Sequence, residues 1–401
     1  MDELAIRALR KLRSDGPLSV AVEGANVLAE SESSQKLVER LLLHDVDLVA
    51  HRELLAASEE RVRRWQVFPD IRVREESTPL PGKTWVDPTT PFDEMPASAP
   101  EEPYVFELED ATLVHPFAVP VWRGNVIEEA LGARSRVTKA LARSVKRHGY
   151  REISGLVEDG KGTPKTTVEA AVPLVPLWNN YYHWTAECLT RIAAVDRYCE
   201  MTGERPTILV PEDPPSWLRE SLSLVGVDED DYLPFTEHTR VSRLVVPTCP
   251  QPSGVECRWV RDAMTASVDD TDGGGNRIYI SRRNATRRRV RNEGEVVELL
   301  RGYGFESYAL EELSVAKQVE LFANAELVVA PHGAGLTNVL YSDDVTIVEL
   351  FGESKKTTFY RLAKLLDHEH RTLMNEERWT DIVVDVPALE REVRSVLGVA
   401  D

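Results

Sequence analysis

The segment Val328-Val329-Ala330-Pro331-His332-Gly333-Ala334-Gly335-Leu336-Thr337-Asn338 carries an apolar run into a histidine between two kinds of turn residue, and then into a helix-like stretch. At a strand-to-helix junction the first-turn N–H groups point outward without intrahelical partners, and glycine lets a ligand approach the main chain. The chemistry such a place suits is anion binding, most often of a phosphate. A tight turn around a core histidine gives the same pattern, so this segment alone does not decide between the two.

Two further groupings bear on the choice. Ile278-Tyr279-Ile280 runs into Ser281-Arg282-Arg283-Asn284-Ala285-Thr286-Arg287-Arg288-Arg289-Val290-Arg291, which holds six arginines in eleven residues. Guanidinium groups just past the carboxyl end of a strand form a phosphate site, although a solvated, salt-bridged loop would read alike. The third grouping is Asn179-Asn180-Tyr181-Tyr182-His183-Trp184-Thr185-Ala186-Glu187-Cys188-Leu189-Thr190-Arg191. The asparagines suit a turn and a helix cap. On a helix running to about Tyr198, His183, Glu187 and Arg191 share one stripe, away from Leu189, Ile192 and Ala193. A histidine held by a carboxylate one turn on can serve as general base for a hydroxyl, while an ordinary Glu187–Arg191 ion pair over a packed His183 is the plainer alternative. A metal reading of His183 with Glu187 lacks a third ligand.

These groups need elements to hold them, and the second half of the chain supplies an alternation of strand and helix. The spacing predicts strands at Arg277 to Ser281, Glu306 to Ala309, Glu326 to Ala330 and Thr346 to Leu350. Helices are predicted at Asn292 to Arg301, capped by Asn292 with Glu295 following, and at Ser314 to Ala323, Leu336 to Ser342 and Phe359 to Leu366. That order is the mark of a parallel, doubly wound sheet, in which the arginine run and the His332 loop leave from the same edge. Upstream, residues 1 to about 74 read as helical, with apolar spacing at Ser31 to Ala50 and Ala56 to Trp65. Glu75 to Pro103 is a proline-rich, acidic linker or wrapped extended arm. β-like runs at Ala111 to Val121 and Glu169 to Leu177 flank a helix at Arg134 to His148. The polar glycine run Asp269 to Gly275 fits a boundary. The expected division is therefore 1–103, an N-terminal helical segment and arm; 104–268, an α/β domain; 276–375, a second α/β domain; and 376–401, a strand and helix that could return to the first domain.

Composition sets limits. The 401 residues carry 67 acidic and 48 basic side chains, a net charge of -19, with 11 lysines among the basic ones. Such a surface suits a salty cytoplasm and disfavours general nucleic-acid binding, which makes a local arginine cluster stand out. Cys188, Cys199, Cys249 and Cys257 show no zinc-like spacing and point to a reducing compartment. Neither a membrane-spanning run nor a signal-peptide core is present, so a cytoplasmic protein is expected. Leu4, Ile6, Leu9 and Leu12 among Arg7, Arg10, Lys11 and Arg13 could lie on the inner face of a membrane or dock on the protein itself. Gly155 to Thr163 approaches a P-loop, but Gly162 replaces the hydroxyl and Glu158 and Asp159 oppose phosphate, so a hairpin turn at Asp159-Gly160 accounts for it better. Asp45 with Asp47 and the run Asp228 to Asp231 are expected by chance in so acidic a chain.

Taken in order, Asn179 to Arg191, Ile278 to Arg283 with Arg288 and Asn292-Glu293, and Ala325 to Asn338 with Glu349 resemble glycosyltransferase family 61. The resemblance runs over about residues 105 to 370. It implies an α/β chain of the GT-B kind, two facing Rossmann-like domains with a helical and extended N-terminal appendage. It also implies an inverting transferase that uses no catalytic metal and no cofactor beyond a nucleotide-sugar donor, UDP-linked, and that acts on a hydroxyl of a glycan or lipid-linked glycan. On that view Ser281, Arg282, Arg283, Arg288, His332, Gly333, Ala334, Gly335, Thr337, Asn338 and Glu349 bind the donor. Arg282, Arg283 and Arg288 face the diphosphate, His332 donates to a phosphate oxygen, and Asn338 and Glu349 meet ribose or sugar hydroxyls. His183 with Glu187 is the candidate base, and Asn179, Asn180, Trp184 and Arg191 lie on the acceptor side. The alternatives are an arginine-loop binding protein for RNA or an acidic partner, and a metal-dependent transferase of GT-A type.

Overall fold

The computed structural model describes residues 48–49, 62–71, 79–98, 101–157, 164–248, 252–268 and 275–399. The expected amphipathic helix at Leu4 to Leu12, the Asp45/Asp47 pair, the Asp159-Gly160 turn, Cys249 and nearly all of the Asp269 to Gly275 boundary lie outside these residues. Two sheets organise the rest. The second, Asn276–Ile280, Phe305–Tyr308, Ala325–Pro331, Thr346–Phe351 and Glu369–Met374, is parallel throughout. The chain leaves Asn276–Ile280 to build first on one flank, with Phe305–Tyr308, and then on the other, with Ala325–Pro331. The order reverses there. Ligands of open α/β sheets bind outside the carboxyl ends of strands at such a point. Ser281-Arg282 and His332 emerge side by side at that edge, as the alternation of elements predicts.

The first sheet is mixed. Thr166–Pro173 lies parallel to Thr207–Val210 and to Thr239–Pro247, and Thr239–Pro247 pairs antiparallel with Tyr104–Val114, from which a meander runs through Val119–Trp122 to Asn125–Ile127. A strictly Rossmann-like first half is therefore not what forms. The run expected at Ala111 to Val121 is two strands, because β-rich apolar residues on both sides of the His115–Ala118 corner find partners in one antiparallel meander. Helix Arg134–His148 forms as predicted, with Lys146, Arg147 and His148 at its negative end.

Two helix expectations near the N-terminus fail where they can be checked. Arg64–Gln66, the end of the expected Ala56 to Trp65 helix, is a strand paired with Tyr104–Phe106. Leu48–Val49, the end of the expected Ser31 to Ala50 helix, is a strand paired with Val126–Ile127. A sheet edge far along the chain overrides local periodicity in both cases. The proline-rich stretch is the wrapped arm. Its Trp85–Val86 pairs antiparallel with Lys355–Lys356, Leu80–Pro81 pairs with Ala97–Ser98, and the Arg361 guanidinium donates to the Pro81 carbonyl.

One apolar core runs through both halves, joining Tyr182, Trp184, Leu189 and Ile192 to Ile280, Leu336, Val339, Phe359 and Leu362. Across it the Tyr181 hydroxyl donates to Asn338 Oδ1 at 2.8 Å. The C-terminal helix Val386–Leu397 packs Leu389 and Val393 with Val296, Leu300 and Phe305, on the second sheet's outer side. It does not return to the first sheet. Its apolar stripe finds a matching one on helix Glu293–Gly302.

Candidate active site

The loop after Ala325–Pro331 continues into a 3₁₀ helix, Ala334–Tyr341, in place of the α-helix expected from Leu336. Each glycine of the loop has an occupant. An ideal Cβ at position 333 would stand 1.9 Å from Arg282 Nη1, and one at 335 would stand 3.1 Å from Leu310 Cδ1 and 3.2 Å from Ile280 Cγ2. Gly333 thus makes room for a guanidinium, whereas Gly335 makes room for the core. Arg282 is braced there by donating through Nη2 to the Arg287 carbonyl at 3.0 Å.

His332 is the centre of this edge. Its Nδ1 lies 2.5 Å from Glu349 Oε1, and Glu349 Oε2 lies 2.8 Å from His370 Nε2. Phe351 stacks on the imidazole, with ring centroids 5.3 Å apart. Burial, reinforced by Arg288, Lys356 and Arg282, holds the imidazole well below its ordinary range. Burial also lifts the Glu349 carboxyl well above the usual carboxylate range, against the pull of Arg288 and Lys356. The consistent proton arrangement has Glu349 donating to His332 Nδ1, with the remaining imidazole proton on Nε2.

Three cations gather round this histidine, and the charge of Arg288 lowers the other two. Burial and the charge of Arg288 bring Arg282 down to about 10. Burial and Arg287 lower Arg288, and burial, Arg288 and Lys83 lower Lys356. None of the three side chains forms an ion pair with a carboxylate among the described residues. Two others of the arginine run are answered: Arg283 pairs with Glu312 at 2.7 Å and Arg289 with Asp381 at 2.8 Å. The six expected phosphate ligands thus divide. Arg288 is turned inward by a left-handed backbone, φ 55°, pinned where its N–H donates to the Thr380 carbonyl at 2.6 Å.

The other candidate group lies on a broken helix. Tyr181–His183 is one α turn, Trp184–Cys188 is π, Leu189–Arg191 is 3₁₀, and Ile192–Thr202 is α again. Asn180 caps the start, its side chain accepting from the His183 N–H at 3.0 Å. π turns inside helices concentrate at functional sites. The wider turn leaves His183 Nδ1 2.8 Å from Glu187 Oε2 but rotates Arg191 off the stripe. Arg191 donates to the main-chain carbonyls of Glu187 at 2.9 Å and Ala130 at 3.2 Å.

Glu187 instead takes two cations from elsewhere. The Lys83 ammonium, on the arm, donates to Oε1, and Arg136 on helix Arg134–His148 spans both oxygens at 3.0 and 3.2 Å. Burial draws this carboxyl upward, but Lys83, the His183 hydrogen bond and Arg136 outweigh it and hold Glu187 well below the ordinary range. Trp178 stacks on the His183 ring at 4.8 Å. Rings connect the two groups. His332 meets Phe359 at 5.3 Å, Phe359 meets Tyr182 at 5.7 Å, and Tyr182 meets His183 at 5.3 Å. The arm covers both, with Trp85 edge-on to His332 at 5.3 Å and Lys83 over the Tyr182 ring at 5.2 Å.

Several expected ligands face inward. Trp184 is fully buried and its indole donates to Ser221 at 2.7 Å, so it is core and not acceptor surface. Ser281 donates to Glu293 at 2.8 Å, and the fully buried Asn338 is spent on Tyr181, Gln318 and the Gly335 carbonyl. Thr337 and Glu349 are buried as well, and both Glu349 oxygens are held by histidines. Asn179 and Asn180 are exposed and Ala334 is half-buried at the loop. Lys83, Arg136, Lys356 and His370 had no motif to announce them.

A separate set, His148, Glu152 and His238, brings ligand atoms within 4.8 Å of one another. There the His115 N–H donates to His238 Nδ1 at 3.0 Å, which places the ring proton on Nε2. A cation would have to displace that proton or break that bond. Among the described residues no helix is long and apolar enough to cross a membrane.

Residues 181–348 match the model of a family described as Glycosyltransferase 61, and the match supports assigning the chain to that family. It takes in His183, Glu187, Arg282, Arg288 and His332 and ends one residue before Glu349. No curated protein matches the chain.

Proposed function

We propose that this chain, a member of glycosyltransferase family 61, transfers a sugar with inversion from a nucleotide-sugar donor, UDP being the leaving group, to a hydroxyl of a glycan or lipid-linked glycan. The observation that carries the reading is the convergence of Arg282, Arg288 and Lys356 on the His332 loop without a carboxylate partner among the described residues. Like charges held together in a partly buried place cost free energy, and a diphosphate relieves that cost. Preorganised cations aimed at the departing oxygens stabilise the charge that develops as the glycosidic bond to phosphate breaks. They supply the role that a divalent ion would otherwise fill, which is why we read the transfer as independent of metal. The His332 Nε2 proton adds one neutral donor to that group.

On the other side of the ring ladder, the acceptor hydroxyl attacks the anomeric carbon opposite the diphosphate. Its proton passes to Nε2 of His183, and the electron pair of the broken bond leaves with the nucleoside diphosphate. Two sheets that each send catalytic groups to a common place fit the facing domains of a GT-B enzyme. The RNA-binding reading draws less support, since Arg283 and Arg289 are neutralised by Glu312 and Asp381.

A screen of UDP-, GDP- and dTDP-sugars for binding and turnover, with and without chelator, tests the proposal. Turnover of a UDP-sugar that survives the chelator is expected. Chelator-sensitive turnover would favour the GT-A alternative, and salt-sensitive binding to RNA with no nucleotide-sugar binding would favour the other.

A further inference from the structure

The site contains two histidine–glutamate pairs built alike, each joining imidazole Nδ1 to a buried carboxyl oxygen, at 2.8 Å for His183 with Glu187 and 2.5 Å for His332 with Glu349. What surrounds the two carboxyls differs. Glu349 gives its second oxygen to His370, and among the described residues no lysine or arginine hydrogen-bonds to it. Glu187 receives the Lys83 ammonium on one oxygen and the Arg136 guanidinium across both.

That difference decides where each imidazole keeps its proton. A carboxylate can only accept, so beside a charged glutamate a neutral imidazole places its hydrogen on Nδ1 and leaves Nε2 bare. A neutral carboxyl can donate to Nδ1 instead, and the imidazole hydrogen then sits on Nε2. The first arrangement leaves Nε2 a base, and the second makes it a donor. One construction, poised two ways, would give a transferase a proton acceptor at the acceptor hydroxyl and a hydrogen-bond donor at the leaving group.

We propose that Lys83, carried on the proline-rich arm, is a positioning residue that fixes His183 in the tautomer with Nε2 bare, through its pairing with the Glu187 carboxylate. The inference rests on the transferase reading for its consequence, though not for its geometry. Glu187 is buried, and removing one of its cations leaves it with Arg136 and the pull of burial toward the neutral form. The arm holds Lys83 in register through bonds unrelated to Glu187. The Thr84 N–H donates to Thr357 Oγ1 at 3.0 Å, the Thr357 hydroxyl donates to the Gly82 carbonyl at 2.8 Å, and Trp85–Val86 pairs with Lys355–Lys356. A base assembled from a helix of the first half is thereby completed by a strap fastened to the second half. Loss of the strap would disable the base and leave the arginines in place.

The test labels histidine with ¹⁵N in the full chain, with His183→Gln to identify the His183 signals. In the unaltered protein Nδ1 is expected to be protonated and Nε2 bare. Lys83→Gln should move the proton population toward Nε2, and Lys83→Arg should restore the original pattern. In transfer assays Lys83→Gln should lower kcat at least tenfold with the nucleoside diphosphate Kd within twofold, and Lys83→Arg should recover most of the rate. Lys83→Met, which keeps the stem over Tyr182, is the second neutral variant if the glutamine form does not fold. An unchanged His183 tautomer in whichever neutral variant folds overturns the inference. An unaltered protein that turns over no nucleotide sugar defeats the transferase reading, while the nitrogen spectra still decide the role of Lys83.

Discussion

The Arg282 guanidinium occupies the space where a side chain at position 333 would begin, with an ideal Cβ there 1.9 Å from Nη1. The backbone at Gly333 is extended, φ 175°, so alanine meets no torsional obstacle and the effect of Gly333→Ala is confined to the displaced guanidinium. We expect nucleoside diphosphate affinity to fall by about 1.5 to 3 kcal/mol, the loss of one charge-assisted contact, with little change in melting temperature. Calorimetric titration and a thermal melt of the same variant check both halves.

The arginine run should respond unevenly. Arg288→Ala is expected to weaken diphosphate binding by about 1.5 to 3 kcal/mol, because the side chain points toward the His332 group and has no carboxylate partner among the described residues. Arg283→Ala should change it by less than about 0.5 kcal/mol, since its guanidinium is engaged with Glu312 on an exposed surface. From sequence alone the two look equivalent. Equal losses in the two variants would show that the loop rearranges around the ligand.

Glu349 should matter for stability before it matters for chemistry. Glu349→Ala strips His332 Nδ1 and His370 Nε2 of their partner in a buried place, and unpaired buried polar groups cost roughly 2 to 4 kcal/mol together. Urea unfolding measures it. A variant as stable as the parent would mean that both rings find other partners.

Acid should weaken the fold before carboxylates titrate. Burial, with neighbouring cationic groups, holds His115 and His238 down to about 4 from the ordinary 6.5. The unfolded chain therefore binds more protons between those values, and stability is full above 6.5 and lost as pH falls toward 4. By pH 5 the loss is about 1 to 2 kcal/mol for each histidine. His370, lowered to about 3, adds in the same direction. Glu349, Glu256 and Asp196 run the other way, because a raised carboxyl contributes more as pH falls, but His148, His332 and His368 are lowered as well, and the histidines outnumber the raised carboxyls. Urea midpoints at pH 7.5 and pH 5 give the comparison, and a higher midpoint at pH 5 would contradict the assignment.

Much of this was legible in the residues. The alternation from Asn276 to Phe351 follows from apolar runs of strand length set between cappable helices, and with it the adjacency of Arg282 and His332. The His183–Glu187 contact follows from spacing across one turn, and survives the π turn that moves Arg191 away. What spacing cannot supply is a partner distant in sequence. Lys83 is a lysine in a proline-rich stretch until Trp85–Val86 pairs with Lys355–Lys356 and delivers it to Glu187. Lys356, Arg136 and His370 are unmarked for the same reason. Trp184 shows the opposite error: a motif residue beside His183 points away from it, and helical geometry already places neighbours about 100° apart. Asn292 caps no helix with its side chain because that amide is engaged with the backbone of Val384 in both directions.

The transfer itself is tested most directly by measuring kcat and nucleoside diphosphate Kd for the unaltered protein and for His183→Ala on one turned-over donor. General-base catalysis contributes on the order of 10² to 10⁴ in rate. General-base catalysis by His183 predicts a fall in kcat of that size with Kd within twofold. An unchanged kcat would contradict it.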